Sequence, residues 1–295
     1  MELDSRYRRG LLYGISAYLI WGLFPLYWPL LKPASALEIL AHRMTWSLVF
    51  LAFVNQIRKS WPAIKSLMLN RRSLRLLAFA SVMISINWGL YIWAVNNEHV
   101  VDASLGYFMN PLINVALGVL YFRERLNKFQ WSAIAVAGIG VAWLALQAGA
   151  IPWVGLALAF SFGLYGLTKK VVGADGVESL TVETILLLPL SASYLLFIEI
   201  DGSAAFLNAG VAHAVLAVMA GVVTAVPLLA FGAAAIRIPY STMGFIQYIT
   251  PTMQFLLGIT VMGESMSSAR WIGFIFIWSA LVIFTLDALR NRKAS

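Results

Sequence analysis

The 295-residue chain is 61% hydrophobic, only 12% charged, and has a net charge of +8. A soluble domain carries about 25% charged residues, so composition overrules a length that would fit one or two soluble domains. The absence of cysteine excludes disulfides, thiol catalysis and thiolate metal sites. Uncharged runs at 10–31, 76–97, 103–122, 129–168 and 238–263 are as long as the roughly 20 residues a helix needs to cross a bilayer. They do not alternate in polarity as barrel strands would. The expected fold is therefore an all-α integral membrane protein.

In chain order the first predicted span covers 11–31, behind Arg6, Arg8 and Arg9. It is too long for a signal-peptide core and reads as a permanent crossing. The second, 36–57, contains Glu38, His42 and Arg43; the third, 74–95, contains Asn87, Trp88 and Tyr91. The fourth, 102–122, places Tyr107, Asn110 and Asn114 on one helix face around Pro111. Residues 129–168 divide at Gly149 and Pro152 into spans near 129–147 and 152–170. Spans near 180–199, which holds Glu183, and 213–235 follow. The ninth, 241–262, carries Gln247, Thr250 and Gln254 around Pro251, and the tenth covers 271–289.

The chain repeats itself at an offset of 140 residues: Pro111 meets Pro251, Gly118 meets Gly258, Glu124 meets Glu264 and Trp131 meets Trp271. With five spans between equivalent points the second copy inserts upside down, giving ten transmembrane helices as two inverted five-helix repeats, 1–148 and 149–295. The basic residues agree. With both termini cytoplasmic, only Lys32 and Arg270 of the 21 Lys and Arg fall in outer segments, and Arg43 lies within a span. The arginines flanking Glu124 are absent around Glu264, as opposite insertion demands. This distribution explains the basic charge without nucleic acid, and the basic loop near 58–73 is expected to lie on lipid headgroups.

The Pro-centred helix, the Gly-x5-Glu spacing after it and the Trp- or Gln-led helix that follows occur twice. In this the chain resembles the EamA domains of the drug/metabolite transporter superfamily. EILAHR at 38–43, NWGLYIWAVNNEHVVDASLGYFMNPL at 87–112 and GFIQYITPTMQFLL at 244–257 are more closely similar to its RarD subgroup, the chloramphenicol-sensitivity proteins. The resemblance covers nearly the whole chain. Arg123 departs from it, standing where the family usually has Gly. It implies a ten-helix carrier in the inner membrane, without naming a substrate.

The expected substrate-binding residues are Arg43, Asn87, Trp88, Tyr91, Tyr107, Asn110, Asn114, Gln247, Thr250 and Gln254. A polar stripe in hydrocarbon faces protein or water, so the equivalent stripes on the fourth and ninth spans read as cavity walls or as helix glue. Asn87, Trp88 and Tyr91 read as solute contacts or aromatic packing. Arg43 would hold an anionic or carbonyl-bearing solute, pair with Glu38 or Glu183, or snorkel outward. Glu38, His42 and Glu183 are candidates for proton coupling. Each has a structural alternative: Ser35-x-x-Glu38 as a capping box, His42 as a helix-to-helix hydrogen bond, and Glu183 as a carboxylate near a helix N-terminus. Glu124 reads as a residue that locks a loop.

No Walker motif, Gly-x-Ser-x-Gly elbow or metal-ligand spacing of its three histidines occurs. The expected function is thus non-enzymatic, without cofactor or metal. It is secondary export or exchange of a small organic metabolite or drug by alternating access, with lipid as the other partner. The alternatives are the membrane subunit of an ATP-driven permease, or an intramembrane enzyme on lipid-like substrates.

Overall fold

The computed structural model describes residues 2–96, 100–147, 153–261 and 268–293. Helix α1 (Glu2–Gly22) runs into the short α2 (Phe24–Tyr27) and a 3-10 turn, Trp28–Leu31. Pro25 and Pro29 open these pieces because neither can donate to the preceding turn. The first predicted span is therefore helical but broken.

Then follow α3 (Ala36–Arg58), α4 (Trp61–Leu69), α5 (Arg71–Asn96), α6 (Val100–Leu120), α7 (Lys128–Gln147), α8 (Trp153–Val172) and α9 (Gly176–Ile200). The chain continues with α10 (Val211–Ala235), α11 (Tyr240–Gln247), α12 (Ile249–Thr260) and α13 (Ser268–Lys293). Side chains set several starts. Ser35 Oγ accepts from Glu38 N, Asp175 caps α9 through Val177 N, and Asn70 Oδ1 accepts from Arg72 N and Ser73 N. At α7 the capping box is reciprocal, Asn127 with Gln130, and Asn127 also donates to Asp287 on α13 at 2.6 Å.

Four pairs of helix starts lie 140 residues apart: Ala36 and Gly176, Arg71 and Val211, Val100 and Tyr240, Lys128 and Ser268. The equivalent prolines have unequal effects. Pro111 sits inside a continuous α6, whereas the helix containing Pro251 is interrupted at Tyr248, between α11 and α12. Pro251 has no N–H for the Gln247 carbonyl, and its ring crowds that carbonyl. The basic segment read as a loop contains α4, packed on α9 through the buried Ile64 beside Leu77 and Val182.

Among the described residues, six segments are long and apolar enough to cross a membrane: Ser5–Leu31, Ala36–Arg58, Arg71–Tyr91, Lys128–Gln147, Gly176–Ile200 and Val211–Ala235. Gly106–Leu120 and Trp271–Asp287 are shorter apolar helices. Large apolar side chains point outward from them, including Phe53 at 65% exposure and Leu190 at 72%; so much exposed apolar surface belongs against lipid. No strand occurs among the described residues.

Inside, α1 packs on α10 and α5 on α8, while α3 meets α9, α6 meets α11 and α7 meets α13. One core gathers Tyr18, Leu51, Ile84, Tyr165, Phe231 and Tyr240. A second gathers Phe108, Val115, Ala137, Ile277 and the stacked pair Phe245 and Phe284.

Candidate functional site

A small cavity of about 20 Å³, room for one ordered water, lies between α3, α5, α8, α9 and α10. Its wall includes Ser47 of α3, Trp88 of α5, Tyr165 of α8, Glu183 and Thr184 of α9, and Thr224 of α10. The rest of the wall is largely apolar, with Met44, Ile84, Leu180, Leu187 and Leu228.

Arg43 stands at one end. Its Nε donates to Thr224 Oγ1 at 2.8 Å. Its guanidinium lies 4.5 Å from the Trp28 ring centroid and 4.6 Å from that of Trp88, so two indole faces hold one cation. Tyr27, Tyr91 and Tyr107 are close enough for their hydroxyls to act on its charge, and the rings of Tyr91 and Tyr107 meet edge-on at 5.7 Å. Arg43, Trp88, Tyr91 and Tyr107 are thus brought together as the sequence suggested.

The expected pairing of Arg43 with Glu38 or Glu183 does not occur. Glu38 Oε1 accepts from the backbone of Ala205 and Phe206 at 2.7 and 3.0 Å. The capping box at α3 is therefore half formed: Ser35 caps, but the carboxylate ties down the segment before α10. His42 accepts from Trp46 Nε1 at 3.2 Å and stacks on Phe206.

Glu183 is engaged elsewhere. Lys169 Nζ sits 2.6 Å from its Oε1 and 2.6 Å from Ser179 Oγ, and Tyr165 donates to its Oε2 at 3.1 Å. Both members of the pair are 2% exposed. Lys169, at the end of α8, is buried between helices. Adjacent helix residues point about 100° apart, so Lys169 turns inward while Lys170 reaches Ile238 O at 2.7 Å and Glu124 at 3.7 Å. Sequence reasoning missed this pair, whose only sequence signal was a second charge at the same helix end.

The polar stripes of α6 and of α11–α12 are spent on neighbouring helices. Asn114 donates to Gln247 Oε1 at 2.5 Å, Thr250 to Tyr18 O at 2.7 Å, and Gln254 to Trp21 O at 3.2 Å. Asn87 likewise joins α5 to α8 through Leu158 O and Ser161 Oγ. Asn110 is buried with its Oδ1 lacking a partner among the described residues. None of these lines the cavity, whose wall comes from α3, α5 and α8–α10; here they join helices, the other reading the stripes allowed. Satisfying amides between apolar helices costs less than exposing them to a cavity that holds one water.

Glu124 joins distant parts of the chain. Its carboxylate accepts from Tyr240 N at 2.7 Å, Ser241 N at 2.9 Å and Ser241 Oγ at 2.6 Å, capping α11. A Cβ at Gly118 would lie 2.7 Å from Glu124 Oε2 and 3.0 Å from Ser241 N, so a side chain there would push on the carboxylate's bonds to α11. Glu264 lies outside the described residues. Glu124→Ala strips the acceptor from the start of α11 and is expected to cost about 1–3 kcal/mol, read as a lower midpoint of thermal unfolding in detergent. Glu124→Gln, which keeps one acceptor oxygen, should lose less.

Residues 8–146 match the EamA-like transporter family. The chain is 50% identical over 295 residues to Protein RarD of Streptomyces exfoliatus, covering 100% of this chain and 94% of that protein. It is 41% identical over 286 residues to Protein RarD of Escherichia coli (strain K12), covering 97% of each. An uncharacterized transporter of Vibrio cholerae is 45% identical over 289 residues, 98% of this chain and 95% of its own. A solved crystal structure with 17% identity superposes with a TM-score of 0.74, covering 95% of this chain and 98% of that one; it shows a shared fold. With relatives aligned end to end at this identity and apolar helices long enough to cross a bilayer, the chain belongs to the EamA-like transporter family, within its RarD group, and is a multi-pass membrane protein.

Proposed function

We propose that the chain is a secondary carrier, an exporter or exchanger, for a small organic metabolite or drug. It crosses the inner membrane ten times, with both termini cytoplasmic, as two inverted halves, 1–148 and 149–295, that rock about the cavity. The observation that carries this reading is the origin of the cavity wall: α3 and α5 come from the first half, α8, α9 and α10 from the second. A site built between halves changes sides when the halves rock.

The helix pairing supports the same reading. Exchanging the halves turns the α1–α10 contact into the α8–α5 contact, and returns α3–α9, α6–α11 and α7–α13 each onto itself. Among Glu38, His42 and Glu183, only Glu183 lines the cavity, so it is the candidate for proton coupling.

The natural lack of cysteine allows a direct test. Thr184→Cys places a single thiol on the cavity wall. In right-side-out and inside-out vesicles, a membrane-impermeant thiol reagent should modify it from both sides. Modification from one side alone would sink alternating access.

A further inference from the structure

Arg43 carries a charge beside the cavity, against Thr224 and Trp88 of its wall, that its described surroundings do not balance. Its Nε is committed to Thr224, and its guanidinium lies over the rings of Trp28 and Trp88. The four N–H bonds of its terminal nitrogens have no protein acceptor, and no carboxylate lies within 4.0 Å, among the described residues. The carboxylates expected to neutralise it are occupied: Glu38 by two backbone amides, Glu183 by Lys169 and Tyr165. The Lys169–Glu183 pair contributes no net charge, so among the described residues Arg43 carries one uncompensated positive charge. An unbalanced cation at such depth is costly unless a partner arrives to share it.

We propose, resting on the carrier reading, that the cargo is an organic monoanion whose carboxylate binds the free edge of the Arg43 guanidinium. Two indole rings within 4.6 Å and the Thr224 bond hold the guanidinium in place with its terminal N–H bonds open, the fork that suits a bidentate carboxylate. The single uncompensated charge matches one negative charge. A dianion would need a second cation, and Lys169 is already neutralised. The cavity has room for one water here, so the body of the solute enters only as the halves part; Met44, Ile84, Leu187 and Leu228 would then face it, an apolar wall that favours a hydrophobic skeleton over a sugar.

The test uses the full chain in lipid nanodiscs with two probes of nearly the same shape, benzoate and benzamide, at matched ionic strength. Binding to the folded state raises the thermal midpoint by mass action. Benzoate is expected to raise it and benzamide to leave it unchanged. Arg43→Gln should weaken benzoate by about 10- to 100-fold, as loss of a charged hydrogen-bond partner predicts, and Arg43→Lys should fall between. The comparison of probes on the unsubstituted chain stands even where Arg43→Gln fails to fold. Equal stabilisation by both probes, stabilisation by benzamide alone, or none by either overturns the anionic cargo. So does a benzoate effect that survives unchanged in Arg43→Gln. None of these results touches the carrier reading, which stands or falls on the two-sided labelling of Thr184→Cys.

Discussion

Lys169→Met is expected to destabilise the protein by about 3–5 kcal/mol, whereas Lys169→Met combined with Glu183→Leu should recover most of that loss. Lys169 and Glu183 touch at 2.6 Å with both side chains 2% exposed. Removing one strands the other as an unpaired charge with no water to solvate it. Removing both deletes two desolvation costs together with their mutual attraction, and apolar replacements fill similar volume. Ser179 and Tyr165, which hydrogen-bond the pair, lose partners in the double variant, so recovery should be incomplete. Thermal unfolding of the three variants in one detergent gives the cycle. A Lys169→Met midpoint equal to the parent's would show that the pair contributes nothing.

The second large effect concerns the crossing of α3 with α10. A Cβ at Gly221 would lie 2.5 Å from Trp46 Cβ, 2.6 Å from Ser47 N, and against the Trp46 carbonyl carbon. These are mainly backbone atoms, which cannot swing aside as a side-chain tip can. The Ser47 hydroxyl also donates to Gly221 O at 2.9 Å across this contact. Gly221→Ala must therefore separate the two helices, at a cost of about 1–3 kcal/mol. Gly221→Val should prevent accumulation of folded protein, read by gel filtration of the detergent-solubilised chain. Gly138 is the control, because nothing lies within 4 Å of a Cβ built there. Gly138→Ala should instead gain about 0.5–1 kcal/mol from helix propensity. If Gly221→Ala behaves like Gly138→Ala, the close approach of α3 and α10 is wrong.

Hydrophobic run length and proline position made the helices legible, because both act locally. Arg43 was legible too: a cation deep in an apolar stretch is conspicuous without knowledge of its neighbours. The neighbours were not legible. Glu38 stands one turn from His42 and three residues after Ser35, which invites a local account, yet its carboxylate binds Ala205 and Phe206, 167 and 168 residues away. Lys169 and Lys170 are identical in sequence, and only the packing of α8 decides which faces Glu183 and which faces Glu124. The stripe on α6 was visible from its period, but a period names a face and not its partner. Asn114 turned out to be bonded to Gln247, on the equivalent helix.

The unequal fate of the two prolines has a mechanical meaning. Pro111 and Pro251 share a place in the repeat, yet one helix runs straight through and the other is cut at Tyr248. A proline has already given up the backbone bond that would oppose bending, so each segment carries one place where its helix can part. Only the second of the two has parted at that place, so two segments of like sequence lend the molecule two unlike walls.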